Sequence, residues 1–120
     1  MMTPQFKDLA AKKCQPCTKG GAPFSKAQAV EYVSQLPGWM LTDDVKNISR
    51  QYLMKDFLAA VRFIDKIAEI AESEDHHPDL HLTGYRKLYI ELATHMIGGL
   101  SENDFILAAK IDQLPKELKK

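Results

Sequence analysis

Residues 72–104 read ESEDHHPDLHLTGYRKLYIELATHMIGGLSEND. Two alternating runs lie inside this stretch. From Asp79 to Thr83, Leu80 and Leu82 oppose His81 and Thr83; from Lys87 to Thr94, Leu88, Ile90 and Leu92 oppose Tyr89, Glu91 and Ala93. A period of two marks a strand with one buried face. Gly84 between the runs suits a bulge or kink, so the pair reads as a hairpin. Gly98-Gly99 breaks the second run, and Ser101 with Asp104 three residues on opens a helix, where a carboxylate can meet free backbone N–H groups. All four histidines (His76, His77, His81, His95) fall in the same stretch. His76-His77-Pro78 opens the hairpin, and His95 continues the second face of its last strand.

Upstream, the same element types recur. Ser25 and Gln28 form a capping-box pattern, with Ala29, Val30, Val33 and Leu36 at helical spacing and Pro37-Gly38 as a stop. Trp39 to Thr42 reads as a short strand, Asp43-Asp44 as a turn, and Asn47 to Met54 as a second strand, with Arg50 intruding among Ile48, Tyr52 and Met54. Asp56 caps the longest helix, Phe57 to about Ser73. Its core stripe is Phe57, Val61, Ile64, Ala68 and Ala71, widened by Ile67. Leu58, Phe63 and Ile70 lie partly off it, so the apolar surface is wide enough for an ordinary buried helix or for a second subunit. In the last helix Phe105, Ala108, Ala109 and Ile111 face the core, and Pro115 ends it. The order α-β-β-α-β-β-α predicts an α+β domain: a four-stranded antiparallel sheet with three helices packed on one face.

The chain divides into an N-terminal arm (1–23) with Cys14-Gln15-Pro16-Cys17, one domain (24–115), and a basic, frayed tail (116–120). The arm reads as loosely ordered, from the Gly and Pro that follow the cysteines. Cys-x-x-Cys can be half a zinc site or a redox pair, but no second Cys pair exists and the strand–helix context of a redox motif is missing. With 120 residues, 45% hydrophobic and 27% charged, the composition is that of a globular domain. A formal net charge of +0 argues against nucleic acid held by phosphate neutralisation and leaves self-association open. No apolar run is long enough for a membrane helix and no secretory signal is visible, so cytoplasmic residence is expected.

Imidazole titrates near neutral pH. If the 78–94 hairpin folds back, it brings His95 beside the His-His turn. Such a cluster suits acid–base catalysis, a metal site with a carboxylate such as Glu72 or Asp75, or structural hydrogen bonds at element ends.

The ordered run Glu72, three residues, His76-His77-Pro78, six residues, Tyr85, nine residues, His95, eight residues, Asp104 resembles the pterin-4a-carbinolamine dehydratase family. Thr94-His95 before Gly99-Leu100-Ser101, Gly38-Trp39, Lys55-Asp56-Phe57 and the Cys14–Cys17 arm with Gly20-Gly21 also fit, the arm as in bacterial-type members. The resemblance runs from about residue 14 to 114. It implies an α+β fold and the dehydration of 4a-hydroxytetrahydropterin to quinonoid dihydropterin, in cofactor recycling for an aromatic amino acid hydroxylase. It implies no metal and no organic cofactor, and a homodimer or homotetramer. Some animal members also serve as a dimerisation cofactor of a transcription factor. Carried onto this chain, it makes His76, His77 and His95 catalytic, with His76 as base and His95 as acid or the reverse. Glu72, Asp75, Ala93, Thr94 and Asp104 become substrate-binding, and Asp104 doubles as a helix-cap residue. Leu80 departs from the tryptophan that many members carry, and Met96 from the glutamate of some. His81 has no family counterpart and reads as a solvent-facing strand residue.

Overall fold

The computed structural model describes residues 6–15 and 22–120, the side chains of Phe6 and Lys7 excepted. Its elements are α1 (Phe6–Ala11), α2 (Lys26–Val33), β1 (Met40–Leu41), β2 (Ile48–Leu53), α3 (Phe57–Glu74), β3 (Asp79–Thr83), β4 (Lys87–Leu92), a 3₁₀ turn (His95–Ile97) and α4 (Glu102–Gln113). The four strands form one antiparallel sheet in the order β1-β2-β4-β3. Leu80 and Leu82 pair in register with Ile90 and Leu88, which turns the apolar residues of the hairpin to one face, as a period of two requires. Ile48, Tyr52, Met54, Leu88, Ile90 and Leu92 are buried there. Tyr89 and His81 lie on the other face, where His81 Nε2 is 3.3 Å from Glu91 Oε1.

The helix starts follow their sequence signals. Ser25 and Gln28 exchange both capping-box bonds, at 3.2 and 2.9 Å. The Asp56 carboxylate accepts the Ala59 N–H at 2.8 Å. α4 is the core of the molecule: Asn103 to Ala109 and Ile111 are all buried, so it is enclosed on more than the single face that its spacing predicts. Phe105 stacks with Phe24 and tilts against Tyr32, at ring separations of 5.7 and 5.1 Å.

Three expectations are corrected. The core face of α3 is Ala59, Ala60, Phe63, Ile67 and Ala71, rotated from the stripe read in the sequence, and Phe57 and Leu58 remain 52% and 61% exposed. The width of the apolar surface left that rotation open. It is settled by packing, with Phe63 meeting the Tyr52 ring edge-on at 5.1 Å. The arm is not loose where it is described. α1 lays Leu9, with no exposed surface, into the core against α4, and the Lys110 ammonium donates to Ala10 O at 2.9 Å, at the helix end where a cation is favoured. The tail is held as well: Lys119 N–H donates to Leu53 O and Lys55 N–H to Glu117 O, both at 2.9 Å.

Cys14 sits in the same core, and Cys17 lies outside the described residues. Burial, reinforced by the Glu74 carboxylate, pushes the Cys14 thiol up to about 12. The folded state therefore holds this proton longer than the unfolded state does. The thiol's contribution to stability is whole below the ordinary value of 9.0 and falls as pH rises towards 12.

Two outcomes check this account. Leu9→Ala lowers stability by about 2–5 kcal/mol, read as a reduced urea midpoint; a change below about 0.5 kcal/mol would place α1 outside the core. In Cys17→Ser protein at pH 8, Cys14 reacts with a thiol-disulfide dye only as fast as the protein opens. Labelling at the rate of a free cysteine would contradict its burial.

Candidate active site

Three chain turns build the site. The first closes α3. Asp75 takes a left-handed conformation (φ 52°), its N–H bonds back to Glu72 O, and the His76 N–H reaches Ala71 O at 3.1 Å. This is a Schellman end, with aspartate in the position glycine usually takes. It points His76 inwards, where the residue is 8% exposed, and leaves His77 outside. The second turn follows β4. Thr94 and Gly99 form an isolated bridge, with Thr94 N–H on Gly99 O at 2.8 Å, and residues 95–98 loop out between them. His95 therefore opens a 3₁₀ turn and does not extend the strand; Gly98 (φ 70°) closes that turn. The third is the start of α4, where the Ser101 N–H donates to Asp104 Oδ2 at 3.0 Å.

These turns meet at Asp104, whose side chain has no exposed surface. Oδ2 also accepts the Thr94 hydroxyl at 2.8 Å, and Oδ1 lies 2.7 Å from His76 Nε2. An ionised carboxylate can only accept. Nε2 of His76 therefore carries the hydrogen, and in the neutral ring Nδ1 holds the lone pair. The capping role read for Asp104 is present, and the same carboxylate orients a histidine.

A cleft of about 680 Å³ opens beside this contact. His76, His77, Ala93, Thr94, His95 and Asp75 line it. The other site residues read from sequence lie elsewhere. Asp104 is sealed behind His76 and Thr94. Glu72 faces solvent, with its carboxylate 3.3 Å from His77 Nε2. Tyr85 is exposed in the β3–β4 turn (φ 57°), next to the Arg86 guanidinium. Leu80 packs on the core. Among the described residues no group of three or more His, Cys, Asp or Glu side chains is arranged to hold a metal ion.

The sequence reading missed Lys13, Cys14, Gln15, Ser73 and Glu74, which also line the cleft, and Met96 as a wall rather than a departure. Cys14 and Gln15 stand in the Cys-x-x-Cys motif, but nothing in that motif points to the histidine cleft, and Lys13 carries no signal because its segment lacks periodicity. Glu74 is largely buried and accepts the Cys14 N–H at 2.7 Å. Burial alone would push its carboxyl up, but the Cys14 N–H and the Lys110 and Lys13 charges outweigh that and hold it below the ordinary carboxylate value.

The sequence profile of the family described as "Pterin 4 alpha carbinolamine dehydratase" matches residues 22–114. A Halorhodospira halophila protein, provisionally named pterin-4-alpha-carbinolamine dehydratase, is 45% identical over 88% of this chain and 96% of its own length. The mitochondrial pterin-4-alpha-carbinolamine dehydratase 2 of Arabidopsis thaliana is also 45% identical, over 92% of this chain and 60% of its own length. The crystal structure of a transcriptional coactivator/pterin dehydratase from Brucella melitensis superposes with a TM-score of 0.70 at 32% identity, covering 75% of this chain and 95% of that one. Match extent and identity agree with the fold: the chain belongs to the pterin 4 alpha carbinolamine dehydratase family and is a dehydratase, a carbon–oxygen lyase.

Proposed function

We propose that the cleft binds 4a-hydroxytetrahydropterin and eliminates water from it by histidine acid–base catalysis, without metal or organic cofactor. The observation that carries this reading is the His76–Asp104 contact at the wall of the cleft, with His95 on the same cleft. His76 Nδ1 takes the N5 proton. The N5–C4a double bond forms as the C4a–O bond breaks. His95 protonates the departing hydroxyl, which leaves as water, and quinonoid dihydropterin remains. Geometry favours this assignment over its reverse. A base must present a lone pair in fixed orientation, and the bond to Asp104 fixes one. An acid must be recharged, and His95 is exposed.

Asp104 acts through His76 as a positioning residue and does not touch substrate. Thr94 and Ala93 supply polar backbone edges for the ring. Asp75 and His77 occupy the rim, where His77, steadied by Glu72, can share either proton task. The reaction belongs with an aromatic amino acid hydroxylase that releases the carbinolamine. A homodimer or homotetramer is the working form, and the exposed Phe57 and Leu58 on α3 support an apolar contact between copies.

Dehydration of freshly generated 4a-hydroxytetrahydropterin, followed by ultraviolet absorbance, tests the chemistry. His76→Ala and His95→Ala, folded by circular dichroism, lose about 10²–10⁴-fold in kcat. Asp104→Asn, which disturbs the tautomer rather than removing the base, loses about 10–100-fold, the scale of an orienting partner. A wild-type rate equal to that of buffer would remove the reading. For assembly, sedimentation gives two or four times 13.6 kDa, and Leu58→Glu shifts the protein towards monomer. A wild-type monomer at micromolar concentration would refute the oligomer.

A further inference from the structure

Lys13, Cys14 and Gln15 line the histidine cleft yet precede residues 22–114, the part that the family profile matches. They are pinned there by backbone bonds. The Cys14 N–H donates to Glu74 Oε1 at 2.7 Å and the Gln15 N–H to Asn103 Oδ1 at 2.9 Å. Asn103 Nδ2 donates to Gln15 O at 2.6 Å. Lys13 Nζ lies 3.6 Å from Glu74 Oε2. The Glu74 side chain is 8% exposed and Asn103 7%, and buried polar groups are costly unless bonded. Two such side chains are thus committed to one three-residue segment. Glu74 lies two residues before His76, and Asn103 immediately precedes Asp104. The helix ends that set the His76–Asp104 contact also hold this segment.

We infer that Lys13–Gln15 is a substrate-binding strap, a preorganised wall that grips the polar periphery of the bound pterin and sets affinity rather than the rate of the chemical step. The inference rests on the dehydratase reading above. Lys13 and Gln15 are exposed and line the cleft; Lys13 Nζ lies beside Glu74 and Gln15 Nε2 donates to Lys13 O at 3.3 Å, and each group keeps further N–H donors suited to the acceptor-rich edge of a fused heterocycle. Because the anchors fix the backbone, little ordering remains to be done on binding, which is how a rigid wall raises affinity.

The experiment compares wild type with Glu74→Ala, Glu74→Gln and Asn103→Ala. It measures kcat and KM for the carbinolamine, and Kd for an oxidised pterin by fluorescence quenching. Glu74→Ala and Asn103→Ala raise KM and Kd together by about 5–10-fold, the scale of one hydrogen bond, while kcat stays within about twofold. Glu74→Gln keeps an acceptor for the Cys14 N–H and retains most of the affinity. His95→Ala gives the opposite split, a lower kcat with Kd preserved. Should the anchor variants not fold, hydrogen exchange on wild type decides: saturating pterin slows exchange at the Cys14 and Gln15 amides. Unchanged KM and Kd in folded variants, or unchanged exchange, would overturn the strap while leaving the dehydratase reading in place. A wild type without dehydratase activity would overturn both.

Discussion

One buried carboxylate, Asp104, holds the histidine end of this protein together. Asp104 has no contact with water, and an ion taken out of water costs several kcal/mol unless its oxygens are paired. Its partners come from three different places: the Ser101 N–H at the start of α4, the Thr94 hydroxyl beyond β4, and His76 Nε2 beyond α3. The helix N-terminus adds a favourable field for the negative charge. The ends of two helices and a strand are therefore fixed relative to one another by a single side chain.

The other end of α4 has a second such carboxylate, in a less favourable field. Asp112 sits in the last turn, where the helix dipole disfavours an anion. Trp39 Nε1 at 2.9 Å, Arg50 at 3.1 Å and the Tyr52 hydroxyl compensate, and burial together with Asp112 pushes the Tyr52 phenol up. Lys116 closes the helix by donating to Asp112 O and Leu114 O, both at 2.7 Å. Burial there lowers its ammonium despite the support of Asp112. With α4 tied to the sheet at one end and to the histidine turns at the other, the helix Glu102–Gln113 can be enclosed by apolar side chains along its middle. The cleft is then a gap between pinned elements, not a break in a soft core.

Much of this was legible because it is written locally. Strand alternation in Asp79–Thr83 and Lys87–Leu92, the Ser25–Gln28 box and the Asp56 cap each depend on residues a few positions apart. The spacing from Glu72 to Asp104 carried the family and the histidines. What was not legible depends on distant partners. Arg50 looked like an intrusion into an apolar face until Asp112, sixty-two residues away, accounted for it. The rotation of α3 depended on Phe63 meeting Tyr52. Leu9 had no periodic neighbours to mark it as core, and its burial is a property of α4. For the same reason Cys14 and Gln15 were not legible as cleft residues: only the folded chain brings Cys14 to Glu74 and Gln15 to Asn103.

The contrast between the two cleft histidines, one buried and one exposed, also bears on turnover. Elimination of water adds one proton to the base and takes one from the acid, so the pair must be reset each cycle, although no net proton is consumed. On the proposed assignment the base, held against Asp104, gains orientation but gives up mobility. The proposed acid lies on a 3₁₀ turn between Thr94 and Gly98 and is open to solvent. On the proposed assignment the rigid imidazole supplies geometry and the exposed one supplies proton traffic. The fold accordingly fixes His76 with a buried ion and leaves His95 on a short loop closed by a glycine.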